Sequence, residues 1–173
     1  MITTSIPVRR LAVALASAFV LTACQPTAKT VTPLEIAGDT ACSLDGMLLG
    51  DYPGPKAQIH YDQGQPEFFC DTLEMFSLIL RPEQQKRINA VYVQDMAKAD
   101  WNSPKGHWID ARTAFYVKGS KLHGGMGPTM ASFALEQEAR DFAGRNGGTV
   151  LPFAAVTPDM VTLDGGILHD QRM

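Results

Sequence analysis

Three things are missing from this 173-residue sequence: an apolar run long enough to span a bilayer, a basic stripe, and a catalytic signature. The longest apolar stretch, Leu11 to Val20, is too short to cross a hydrocarbon core of ~30 Å as a helix. The formal net charge is −3 with no cluster of Lys and Arg, which excludes nucleic acid as a partner. Neither G-x-S-x-G, nor H-E-x-x-H, nor a phosphate-cradling glycine loop occurs, and Asp45, Asp95 and Asp110 have no nucleophile patterned beside them. The chain therefore reads as a non-enzyme. His60, His107, His123 and His169 are scattered, and no C-x-x-C or H-x-x-x-H pair exists, so the usual closed set of zinc ligands is absent. Cysteine is scarce too: only Cys24, Cys42 and Cys70.

The first of these cysteines is spoken for. Arg9 and Arg10 precede the short apolar run, and Leu21-Thr22-Ala23 leads into Cys24, the layout of a secretory leader over residues 1–23. Leu-Thr-Ala-Cys resembles the lipobox of bacterial lipoproteins, which implies cleavage before Cys24, acylation of its thiol and attachment to a lipid bilayer. Gln25, rather than Asp, follows the cysteine, and the sorting pattern of enteric bacteria then favours the outer over the inner membrane. Residues 24–38 are rich in Thr and Pro and read as a flexible tether. The expected compartment is the periplasm, with a compact domain at 39–156 and a tail at 157–173.

The expected fold class is α+β. Ala57 to Asp62 alternates apolar and polar residues as a strand does, and Phe68-Phe69 begins a return strand after the Gln63-Gly64-Gln65-Pro66 turn. Asp71-Thr72-Leu73-Glu74 has the form of a capping box opening a helix with Phe76, Ile79 and Leu80 on its apolar face. Ile88 to Asp95 reads as a buried strand, Met96 to Gly106 as a loop, and Trp108 to Val117 as one strand region. A glycine loop over 119–125 and a long helix over Met130 to Arg145 follow, with a last strand at Val150 to Phe153. Residues 57–80 and 112–145 echo one another as two ββα-type halves of one compact body, with Cys70 and Met126 at comparable places ahead of the helices.

Two thiols remain for chemistry, Cys42 and Cys70. In an oxidising compartment they form either a disulfide or a pair of thiolate ligands for a soft metal. Methionine tilts the balance. Most of these side chains suit core gaps, but Met47 follows Asp45-Gly46, and Met126 sits within Gly124-Gly125-Met126-Gly127-Pro128. Glycine neighbours leave room for a side chain that must reach something. Thioether and thiolate are the soft donors that select Cu(I). The rival reading is an envelope lipoprotein that binds no metal and acts as a binding or assembly module.

Six segments then resemble NosL, the family of copper lipoproteins accessory to nitrous-oxide reductase. They are Asp45-Gly46-Met47, residues 51–59, Phe69-Cys70-Asp71-Thr72, residues 92–95, residues 108–111 and Gly125-Met126-Gly127. The resemblance spans roughly residues 41–154. It implies a Cu(I) carrier that serves the copper centres of nitrous-oxide reductase together with a membrane ABC-type complex. It also implies a fold similar to a domain of organomercurial lyase. The family pattern at the first segment is C-x-x-C-G-M or C-G-M; here Cys42 matches the outer cysteine and Met47 the methionine, while Asp45 replaces the inner cysteine. The implied ligands are Met47 and Met126, completed by Cys70, Cys42 or Asp45.

Overall fold

The computed structural model describes Ile2 and residues 31–84 and 86–162. Cys24 and the rest of the expected tether up to Thr30, and residues 163–173 of the expected tail with His169, lie outside the described residues. Within them, two small antiparallel sheets each carry one helix. Strands β1 (Ala57–Tyr61), β2 (Glu67–Phe69), β3 (Ile88–Gln94) and β4 (Trp108–Asp110) form the first sheet in the order β2-β1-β3-β4, with helix α1 (Thr72–Ile79) between β2 and β3. Strands β5 (Phe115–Gly124), β6 (Gly127–Phe133) and β7 (Thr149–Pro152) form the second in the order β6-β5-β7, with α2 (Glu136–Asn146) between β6 and β7.

The internal echo is therefore a repeat of topology. In each half the first strand is central, the second pairs on one side, and the strand after the helix pairs on the other. The correspondence expected for Cys70 and Met126 does not hold. Cys70 follows the second strand of its half, whereas Met126 lies in the turn between the first and second strands of the other half. The cause is that β5 and β6 form one hairpin over 115–133, which runs through 119–125, where the glycines suggested a loop. Met130 to Phe133 is consequently strand rather than helix, and α2 begins only at Glu136. The stretch expected as one strand at 108–117 is broken by a turn, in which Asp110 accepts from the Arg112 amide at 2.8 Å.

Helix α1 buries its apolar face between its own sheet and the second half, whereas α2 packs on its own sheet. Met75 and Phe76 of α1 join Ala57, Ile59, Val91 and Val93 in the larger core, where Phe76 meets Tyr116 edge-on with ring centroids 4.9 Å apart. Ala139 and Phe142 of α2 pack with Val117, Ala131 and Phe133, and Trp101 stacks on Phe142. The halves are joined by polar pins. Thr72 Oγ1 donates to the Met130 carbonyl at 2.7 Å, Ser132 Oγ to the Gln94 carbonyl at 2.6 Å, and the Met96 amide to the Ser132 carbonyl at 2.9 Å. Buried polar groups so paired specify one docking geometry.

Strand β1, whose residues alternate apolar and polar, is buried on both faces. The reason is chain N-terminal to the first sheet. The Leu34 amide donates to Gln58 Oε1 at 2.8 Å, and Gln58 Nε2 returns a bond to the Leu34 carbonyl at 3.0 Å. The Tyr92 hydroxyl donates to the Val31 carbonyl, and His60 shares Gln58 Oε1 at 2.7 Å. Residues 31–36, within the expected tether, thus lie against the body. At the other end, Pro158–Val161 forms a 3-10 turn, and Val161 enters the larger core with Val156.

Candidate metal centre

Three elements meet at the free edge of β2. Residues 42–47 close on themselves: the Cys42 amide donates to the Met47 carbonyl at 2.8 Å, and the Gly46 amide to the Cys42 carbonyl at 2.9 Å. Asp45 Oδ1 accepts from the Met47 amide at 2.9 Å, an Asx turn. This loop is sewn to β2 by the Ser43 amide on the Phe68 carbonyl at 2.7 Å and by the Phe68 amide on Ser43 Oγ at 3.1 Å. The edge that would invite pairing with another chain is covered, and Cys42 is set beside Cys70, where β2 turns into α1.

Asp71 caps α1 as expected, accepting from the Leu73 amide at 2.8 Å. Glu74 departs from the capping-box reading. Its Oε2 accepts instead from both thiols, from Cys42 Sγ at 3.2 Å and from Cys70 Sγ at 3.3 Å. Cys42, Cys70 and Glu74 are all buried. The ligand atoms of Cys42, Asp45, Cys70 and Glu74 lie within 4.8 Å of one another, with Asp45 on the exposed side. Both cysteines are free thiols. Cys42 is the more acidic of the two. Its hydrogen bond with the Cys70 thiol, aided by the amides of Cys70, Leu44 and Asp45, lowers its pKa against the effect of burial. Cys70 is held protonated by the same neighbour, by burial and by the negative charge of Glu74.

The hairpin turn carrying Met126 comes down beside this cluster. Gly124 and Gly127 pair across the turn. A Cβ on Gly124 would fall 2.3 Å from Asp71 Oδ2, and one on Gly125 2.7 Å from the Tyr52 Cβ. Those two glycines therefore let the hairpin backbone lie directly against Asp71 and Tyr52, a closeness that any side chain would prevent. Met126 itself is half exposed, and Met47, half buried, closes the cysteine loop. Asp71, next to Cys70, is almost wholly buried. Its Oδ1 accepts from Thr129 Oγ1 at 2.8 Å, Oδ2 has no partner, and burial pushes its pKa up to about 7.

Of the residues singled out by sequence, Cys42, Cys70 and Asp45 converge with one another. Met126 is carried by the turn seated on the residue that follows Cys70. His123 lends only its carbonyl, to Trp101 Nε1 at 3.1 Å. Two participants escaped sequence reading. Glu74 was absorbed into a helix cap; the signal for it is that i and i+4, here Cys70 and Glu74, share a side once the helix has started. Lys56 lies within the 51–59 segment, where nothing in the pattern marks it for burial, since lysine is almost never fully buried.

Comparison with known proteins gives a consistent picture. The NosL family profile matches residues 33–161. The chain is 38% identical over 161 residues to the copper-binding lipoprotein NosL of Stutzerimonas stutzeri, covering 88% of this chain and 84% of that one. It is 39% identical over 147 residues to the copper-binding lipoprotein NosL of Achromobacter cycloclastes, covering 82% and 76%. The crystal structure of the copper chaperone NosL from Shewanella denitrificans superposes with a TM-score of 0.68 at 34% identity, over 78% of this chain and 99% of that one. With profile, relatives and fold in agreement over nearly the whole described body, this chain belongs to the NosL family.

Proposed function

We propose that this protein carries Cu(I) at the Cys42–Cys70 site and hands it on outside the cytoplasm. One observation carries the reading: two buried free thiols converge on one carboxylate oxygen, at 3.2 and 3.3 Å, beside the methionine-bearing hairpin. Thiols placed so are ready to exchange protons for a soft ion. Cys42, the more acidic, ionises first and takes the ion, and Cys70 follows as the positive ion offsets the charge that keeps it protonated. Met47 and Met126 complete the set as neutral donors that release easily, with Asp45 on the open side. The naming of two relatives as copper-binding lipoproteins supports copper as the cargo.

On the same reading the chain is anchored through acylated Cys24 at the periplasmic face of a membrane, the outer one by its Gln25. The recipient is nitrous-oxide reductase, whose copper centres would be assembled together with a membrane ABC-type complex. The test is a Cu(I) titration of the full-length protein in detergent, against a competing chelator. One ion per chain is expected, with affinity reduced by Cys42→Ser, Cys70→Ser, Met47→Ala and Met126→Ala. No Cu(I) bound, with both thiols intact by thiol counting, would instead make the protein a metal-free binding or assembly module. The recipient is tested separately: cells lacking this protein should yield nitrous-oxide reductase depleted in copper.

A further inference from the structure

Lys56 is a fully buried lysine at the head of β1. Its amide donates to Gln94 Oε1 at 3.0 Å, and its Nζ donates to the Pro53 carbonyl at 3.0 Å and to the Cys70 carbonyl at 3.1 Å. The ion pairs among the described residues use Lys86, Lys98 and Arg140, all exposed, so Lys56 is buried without a carboxylate at contact distance. Burial lowers its pKa, and the acidic groups of Cys70, Asp71, Glu74 and Cys42 around it work against that and favour the ammonium. A buried ammonium held only by carbonyl oxygens costs stability, and an apolar chain of the same shape would pack as well. A cation there serves the thiol site rather than the fold.

Charge balance during loading says how. When Cu(I) enters, two thiols each lose a proton and one monovalent cation arrives, so the buried site becomes more negative by one charge. Glu74 and Asp71 are already beside it. A fixed positive charge bonded to the backbone of one ligand offsets that gain without occupying a coordination position. We propose that Lys56 is the counter-cation of the loaded site and a positioning residue for Cys70, and that its charge raises the affinity for Cu(I). This rests on the carrier reading above.

The test compares Lys56→Met, of similar shape, and Lys56→Gln, which keeps a hydrogen-bond donor without the charge, with the wild type, all full-length in detergent. Chelator competition gives the Cu(I) affinity, ultraviolet thiolate-to-copper absorption reports the ligand set, and urea unfolding of the metal-free proteins reports the fold. Both variants should bind Cu(I) about tenfold or more weakly, with the same absorption band and a metal-free urea midpoint no lower than wild type. Undiminished affinity, or wild-type affinity restored by Gln, overturns the counter-cation. Loss of the native circular dichroism in both variants, or a fall in affinity matched by a fall in metal-free stability, makes Lys56 a fold determinant and also overturns it. Absence of thiolate-bound Cu(I) in the wild type itself sinks the carrier reading instead.

Discussion

Replacing Asp71 by Asn should stabilise the metal-free protein at alkaline pH and do much less in acid. The carboxyl is 1% exposed, and burial raises its pKa from the ordinary 3.8 to about 7. The Leu73 amide and the Thr129 hydroxyl favour the ionised form but do not overcome the burial, and the charge of Glu74 adds to it. A group whose folded pKa lies above its unfolded value contributes stability fully below the unfolded value and loses it as pH rises through the folded one. The folded state therefore carries a growing penalty between about pH 4 and 7, which reaches up to about 4 kcal/mol above that window. Asn keeps the acceptor for Leu73 and Thr129, caps a helix as well as Asp does, and carries no charge at any pH. The measurement is urea unfolding of reduced wild type and Asp71→Asn at pH 5 and pH 8. Titrating groups that do not couple to Asp71 are common to both proteins and cancel in the difference. The variant's advantage should grow by about 2–3 kcal/mol between the two pH values. An advantage that is the same at both would refute the buried-carboxylate reasoning.

Further outcomes follow from the packing. Phe76→Ala empties the space between Tyr116 and Phe153 and should cost about 3–5 kcal/mol in urea unfolding, as large-to-small changes in cores do. Gly124→Ala puts a methyl against Asp71 Oδ2; the hairpin tip must lift, so both the melting temperature and the Cu(I) affinity should fall, whereas Gly144→Ala, with open space around it inside α2, should raise the melting temperature slightly and leave the affinity unchanged. Gln58→Ala removes both side-chain bonds to the Leu34 backbone and should expose residues 31–36 to limited proteolysis while the body past Gly38 stays resistant.

Much of this fold was readable because local pattern and tertiary demand agree. Asp71 caps α1, Asn146-Gly147-Gly148 closes α2, and β3 lies within the stretch whose apolar run pointed to a buried strand. The misreadings share a cause. Met130 to Phe133 has helix-compatible apolar spacing but pairs with β5 because Lys118, Val117, Tyr116 and Phe115 offer a register in which Ala131 and Phe133 reach the second core. Short apolar stretches do not distinguish strand from buried helix until a partner is known. At the site, residue types chosen for softness marked Cys42, Cys70, Met47 and Met126 as candidates. Glu74 and Lys56 carry hard, ordinary groups whose importance comes only from burial beside the thiols, and burial of a charged side chain is the property that sequence pattern conveys least.

The docking of Val31 and Leu34 on the body sets a leash length. With the chain anchored at Cys24 as proposed, the residues up to Thr30 separate the lipid from Val31, the first residue of the described body, whose carbonyl is bonded to Tyr92 of the sheet. Seven peptide steps at full extension reach at most about 25 Å. On the proposed function, a carrier on so short a leash would not sweep through the periplasm. It would stay close to one membrane surface, and its encounters with a recipient would become a two-dimensional search. Lengthening the sequence between Cys24 and Val31 would change the volume searched without touching any of the proposed copper ligands.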